Sequence, residues 1–171
     1  AEQRAAPWSM TLDAESANAW LSERLPRWSV SQGYARRWPE RLADLRLDFR
    51  DGVIHVAARL VSGGSEQFVS AALSAAFDRD GSLWLTADSA ALGRLPVPVA
   101  WALRAAAAEL DAPADSEAAR LLAALRAERP LLRDASLRLP DGRRVRILAL
   151  RADGHRLEIT CTTEEPAPAR R

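Results

Sequence analysis

The chain has 171 residues, 48% apolar and 27% charged, and its 24 basic and 23 acidic side chains leave a formal charge of +1. This balance excludes a disordered tail, a collagen-like rod and a disulfide-stapled miniprotein. It also argues against a dedicated nucleic-acid binder, which concentrates a basic excess.

One domain spanning residues 1–171 is expected, because a chain of this size buries enough surface to hold a core without metals or disulfides. Every basic residue is Arg, and the lack of Lys beside abundant Ala and Arg reads as the product of a GC-rich bacterial genome. No run approaches the roughly 18 apolar residues of a membrane-spanning helix. Ala1 to Pro7 is small and polar. It reads as the remainder of a cleaved signal peptide or anchor, or as a trimmed chain, and both readings stay open. Residues 1–10 and 164–171 are expected to be frayed ends.

The first helix is predicted from Asp13 to Leu25. Thr11 or Asp13 caps it, Ala17, Trp20, Leu21 and Leu25 form its apolar stripe, and Pro26 ends it. Asp51-Gly52 then suits a two-residue hairpin loop. That loop pairs Phe49 with Ile54, Leu47 with Val56 and Leu45 with Ala58 on one face. The other face receives Arg46, Asp48, His55 and Arg59, as a half-buried sheet requires.

Gly63-Gly64 turns the chain again. Gln67 to Asp78 is Ala-rich enough for a helix, but Val69, Ala71, Leu73, Ala75 and Phe77 alternate with Phe68, Ser70, Ala72, Ser74 and Ala76, and this period of two with the flanking turns favours a long strand. Asp80-Gly81 leads into another strand through Leu83, Leu85 and Ala87. Pro96 and Pro98 exclude central-strand pairing, so Leu92 to Pro98 leaves the sheet edge and aims a second helix from Pro98 to Leu110. A third helix runs from Asp115 or Ser116 to Pro130 on Leu121, Leu122 and Leu125.

Two more hairpins follow. A bulged loop at Asp141-Gly142 sets Leu139 opposite Val145 and Leu137 opposite Ile147. A two-residue loop at Asp153-Gly154 sets Leu150 opposite Leu157 and Leu148 opposite Ile159. The order is helix, four strands, two helices, three strands. This is an α+β fold: a long, curled antiparallel sheet of about seven strands with three helices.

The chemistry-bearing residues are sparse. No P-loop, dinucleotide fingerprint, paired-Cys metal motif or nucleophile elbow occurs, so neither a cofactor nor a metal is expected. His55 stands across from Asp48, either as a base with its orienting carboxylate or as a plain surface pair. His155 follows a turn. Cys161 reads as a buried structural thiol. Six of the ten aromatics are Trp. Trp28 and Trp38 bracket a segment without a core pattern, and with Arg36, Arg37 and Arg41 they form a candidate site for an anionic group or a partner carboxylate. A solvated basic turn is the plain alternative, there and at Arg143, Arg144 and Arg146.

The helix Leu12-Asp13-Ala14-Glu15-Ser16-Ala17-Asn18-Ala19-Trp20-Leu21 and the segment Gly93-Arg94-Leu95-Pro96-Val97-Pro98, with hairpins between them, resemble the YpmS-like family of membrane-anchored bacterial envelope proteins of unknown function. The resemblance spans residues 11 to 110. Such proteins are similar in plan to tubular lipid-binding domains, in which a long sheet wraps a helix around an apolar groove. The resemblance supplies no catalytic residue, and the family's basic residue is often Lys where this chain has Arg.

The leading expectation is a non-enzymatic, exported or periplasmic domain, peripheral to or anchored at a membrane. It binds a lipid-like or other apolar ligand between sheet and helices, with Val69, Leu73 and Phe77 beneath the sheet. An envelope protein–protein interaction domain built on Trp28 and Trp38 is the first alternative. An enzyme whose cleft combines His55 or His155 with at least two carboxylates is the second.

Overall fold

The computed structural model describes residues 6–31, 38–110, 117–126 and 129–164. The elements run β1 (Trp8–Asp13), α1 (Ala14–Glu23), α2 (Leu25–Ser31), β2 (Leu42–Arg50), β3 (Val53–Ser62), β4 (Ser65–Phe77), β5 (Leu83–Leu92), β6 (Leu95–Val97), α3 (Val99–Leu110), α4 (Glu117–Leu125), β7 (Ser136–Arg138), β8 (Arg144–Asp153) and β9 (Arg156–Glu164). The α+β class and the antiparallel pairing agree with the sequence. The single sheet of about seven strands does not. Among the described residues there are two sheets, ordered β1-β9-β8-β7 and β2-β3-β4-β5-β6, and four helices.

Two physical causes divide the strands. The chain leaves the sheet after β6 for two helices, so β7 to β9 start a sheet of their own. Trp8 to Met10, expected in a frayed end, instead pair with Cys161 to Ile159 and make β1 an edge of that second sheet. Residues 165–171 of the other expected frayed end lie outside the described residues.

The first hairpin keeps its expected register, with Phe49 opposite Ile54, Leu47 opposite Val56 and Leu45 opposite Ala58. Asp51 and Gly52 both take positive φ, at 55° and 77°, as a tight loop of this hand demands. Gln67 to Phe77 is strand, paired on both sides. A bulge between Ala72 and Leu73 leaves Asp88 outside the ladder, where its carboxylate accepts from Ser74 Oγ at 3.1 Å.

The helical region is corrected at Pro26. Asp13 caps α1 as expected, accepting from Ser16 N at 2.7 Å. The helix stops at Glu23, and Pro26 falls in the first turn of α2, where its missing N–H is harmless. The expected cap of the third helix, Asp115 or Ser116, lies outside the described residues.

The last two hairpins form with registers shifted by two. Leu137 faces Val145, because Pro140-Asp141-Gly142 forms the loop, with Leu139 N donating to Arg143 O at 2.8 Å. Leu150 faces Ile159 and Ala152 faces Leu157, because the turn is Gly154-His155.

One face of the five-stranded sheet is covered. Phe49, 1% exposed, packs with Ala17 of α1 and Ala152 of β8, surrounded by Leu12, Leu47, Ile54 and Leu157. On the same face Leu73, Leu83, Ala87 and Ala90 are buried, and α3 and α4 pack on β5 with Leu103 and Leu122 buried. β8 lies against β2, β3 and β4. Among the described residues the opposite face stays open.

Candidate functional site

Side chains alternate across a strand, so the open face collects the residues that the core rejects. The registers align them in two parallel rows. One row reads Arg46, Ala57, Ser70, Ala91, Pro96 from β2 to β6. The other reads Asp48, His55, Ala72, Ser89 from β2 to β5. Small side chains over three adjacent strands leave a depression in the middle of the sheet. Charged side chains close it at the β2 end, and Pro96 borders it at the other. The result is an open trough of about 440 Å³, with Arg50 also at its rim.

The electrostatics of the charged end follow from its pairs. Arg46 Nε lies 3.0 Å from Asp44 Oδ2, and Arg50 Nε lies 3.6 Å from Asp48 Oδ2. Among the lining residues, two guanidinium groups face one carboxylate. His55 stands across from Asp48 in the register, as expected. The hydrogen bond, however, goes elsewhere. Asp48 Oδ1 lies 2.6 Å from His155 Nδ1 and accepts from Phe49 N at 2.9 Å. The His155 bond, ahead of the Phe49 N–H and the Arg50 charge, holds the Asp48 carboxyl below its ordinary range. The base-and-carboxylate pair considered for His55 and Asp48 is therefore a bond between Asp48 and a different histidine, brought in by the β8–β9 turn.

The other residues singled out from sequence lie apart from the trough. Val69, Leu73 and Phe77 share the covered face, with Leu73 buried and the other two half-buried. Trp28 is 40% exposed on α2 and meets the Trp20 ring edge-on, with centroids 5.7 Å apart. Trp20, expected in the apolar stripe of the first helix, is exposed, as is Trp101 on α3. Trp38 is half-buried, and its Nε1 donates to Leu42 O at 3.2 Å. Arg36 and Arg37 lie outside the described residues.

Arg144 and Arg146 both pair with Asp134, and Arg146 also pairs with Glu164, so that basic stretch belongs to an ion-pair network on the four-stranded sheet. Cys161 is buried, and burial pushes its thiol up. Among the described residues no group of three or more His, Cys, Asp or Glu side chains could hold a metal ion, and no helix is long and apolar enough to cross a membrane.

Sequence reasoning placed Asp48 and His55 on this face but did not find the trough. The signal was present in β4, where Ser70 and Ala72 alternate with the core-facing set, but locating a floor needed the registers of β4 with β3 and β5. Comparison of the chain with protein-family models, curated proteins and solved structures gives no match.

Proposed function

We propose that this chain is a non-enzymatic binding domain that holds an amphiphilic, lipid-like ligand in the trough across its five-stranded sheet. The observation that carries this reading is the polarity along the trough: the Arg46 and Arg50 guanidinium groups with the Asp48 carboxylate at one end, small and largely apolar side chains through Ala57, Ala72 and Ala91, and Pro96 at the other end. A carboxylate or phosphate head would meet the guanidinium groups, which suit planar, paired hydrogen bonding to such anions. The hydrocarbon part would lie over the alanines. The volume lies within the range of small-molecule sites.

The ligand is thus reassigned from the space beneath Val69, Leu73 and Phe77 to the opposite face. An exported setting beside a membrane belongs to the same proposal and rests on the resemblance to anchored envelope proteins. The test is native mass spectrometry of the purified chain, followed by organic extraction and lipid analysis. A stoichiometric amphiphile that is lost from an Arg46→Ala/Arg50→Ala variant supports the reading. A chain that neither carries nor takes up any acidic amphiphile overturns it.

A second reading is an envelope interaction domain. The exposed Trp20–Trp28 pair favours it, since indoles are enriched at protein interfaces. Its test is loss of a captured envelope protein on Trp28→Ala.

A further inference from the structure

We infer that β1 is the contact strand of a two-fold dimer, in which two copies of this chain join their four-stranded sheets edge to edge. The inference is independent of the trough, which lies on the other sheet.

The two long edge strands of the molecule are treated differently. In β2 two of the residues whose backbone groups face outward, Leu47 and Phe49, are closed. Leu47 exchanges two hydrogen bonds with the Asn18 side chain, and Phe49 O accepts from His155 N at 2.7 Å. Such closure is how proteins protect an edge from pairing with another chain.

In β1 the parity is set by Ala14 N, which donates to His155 O at 2.9 Å in continuation of the β1–β9 register. Hydrogen-bonded pairs alternate in an antiparallel ladder. Trp8, Met10 and Leu12 therefore turn their backbone groups to β9, while Ser9 and Thr11 turn theirs outward. Among the described residues nothing caps them, and Trp8 to Thr11 are all exposed. The strand carries no charge before Asp13.

The strand is complementary to itself. An axis through Met10 sets Ser9 opposite Thr11 of the second copy, and Thr11 opposite its Ser9. These are the residues with free outward groups, and each pair exchanges an N–H and a C=O. On one face Trp8 then meets Leu12 of the other copy and Met10 meets Met10. Trp8 and Met10, 41% and 48% exposed in the single chain, are covered by this contact. On the other face hydroxyls meet hydroxyls, a favourable cross-strand pairing. Asp13 falls opposite Pro7, so no like charges meet. Pro7 has no N–H, and the new ladder ends there.

Sedimentation equilibrium of the whole chain tests this over a range of concentrations. The expected mass rises from that of one chain towards that of two. Met10→Arg, which sets like charges on the axis, is expected to raise the dissociation constant at least tenfold without changing the circular dichroism. Met10→Cys is expected to form a disulfide-linked dimer under mild oxidation, since Cys161 is buried. This second variant decides the matter if Met10→Arg fails to fold. A chain that stays monomeric throughout overturns the inference, as does a dimer that ignores Met10→Arg or one in which Met10→Cys does not cross-link.

Discussion

Asn18 completes the edge of β2 as if it were a peptide unit of a sixth strand. Its Nδ2 donates to Leu47 O at 2.9 Å and its Oδ1 accepts from Leu47 N at 2.7 Å. A helix cannot extend a sheet with its own backbone, because its N–H and C=O groups are used internally. A side-chain amide carries the same donor and acceptor and substitutes for them. Asn18→Ala strands both Leu47 groups at a half-buried position. The expected loss is about 1–2 kcal/mol, read from the urea midpoint, with greater aggregation as β2 opens. Asn18→Asp keeps the acceptor but sets a carboxylate against Leu47 O, and it is expected to be no better than Ala.

The bond between Asp48 and His155 makes the union of the two sheets depend on pH. Asp48 is held below its ordinary value of 3.8, first by the His155 bond. A depressed carboxyl stabilises the fold at pH values above its unfolded pKa, and the contribution disappears as pH falls through the folded pKa. The urea midpoint is therefore expected to fall from about pH 5 downwards. In Asp48→Asn this part of the fall is absent, and the stability at pH 7 is lower by under about 1 kcal/mol, since the pair is open to solvent. An unchanged acid slope in Asp48→Asn removes the carboxylate from this role.

His155 is held in the left-handed region, at φ 61°, within a turn whose other residue is Gly154 at φ 54°. Its main chain explains why. His155 N donates to Phe49 O at 2.7 Å, and its O accepts from Ala14 N at 2.9 Å, so one residue joins the β8–β9 turn to β2 and α1. His155→Val forces a β-branched residue into a conformation that costs about 1–2 kcal/mol for L-residues, in addition to the lost Asp48 bond. His155→Asn tolerates the conformation and is expected to lose only the bond. Thermal unfolding should rank wild type above Asn and Asn above Val.

The same residue shows where the sequence was legible and where it was not. Asp51-Gly52 marked its turn correctly because the cue and the flanking alternation, Phe49 with Ile54 and Leu47 with Val56, agree locally. Asp153-Gly154 offers an identical cue, yet the turn is Gly154-His155, and every pair from the turn to the bulge at Ile147/Ala149 moves by two. The deciding bonds reach Phe49 and Ala14, distant in sequence, and no local pattern encodes them. The pairing of β1 with β9 was hidden for the same reason. Trp8 to Leu12 alternates apolar and polar but has no turn partner nearby, so it reads as an end. The trough shares this fate, because its floor exists only once Ala57, Ser70 and Ala91 are aligned across three strands.

That floor can be filled without touching the core. Ser70 and Ala72 are half-buried on the open face, while their neighbours Val69 and Leu73 face the other way. Ser70→Trp would occupy the middle of the trough, and substitutions on an open sheet face leave stability within about 0.5 kcal/mol. Arg46→Glu would replace a guanidinium with a carboxylate at its charged end. With dodecanoate as the probe, each variant is expected to weaken binding by at least roughly tenfold, equivalent to about 1.4 kcal/mol. Leu73→Ala gives the contrasting control. It removes a buried side chain from the covered face at a cost of about 2–5 kcal/mol of stability, and at temperatures where it remains folded it leaves dodecanoate affinity unchanged. The opposite pattern, with binding lost in Leu73→Ala and kept in Ser70→Trp, would return the ligand to the space between sheet and helices.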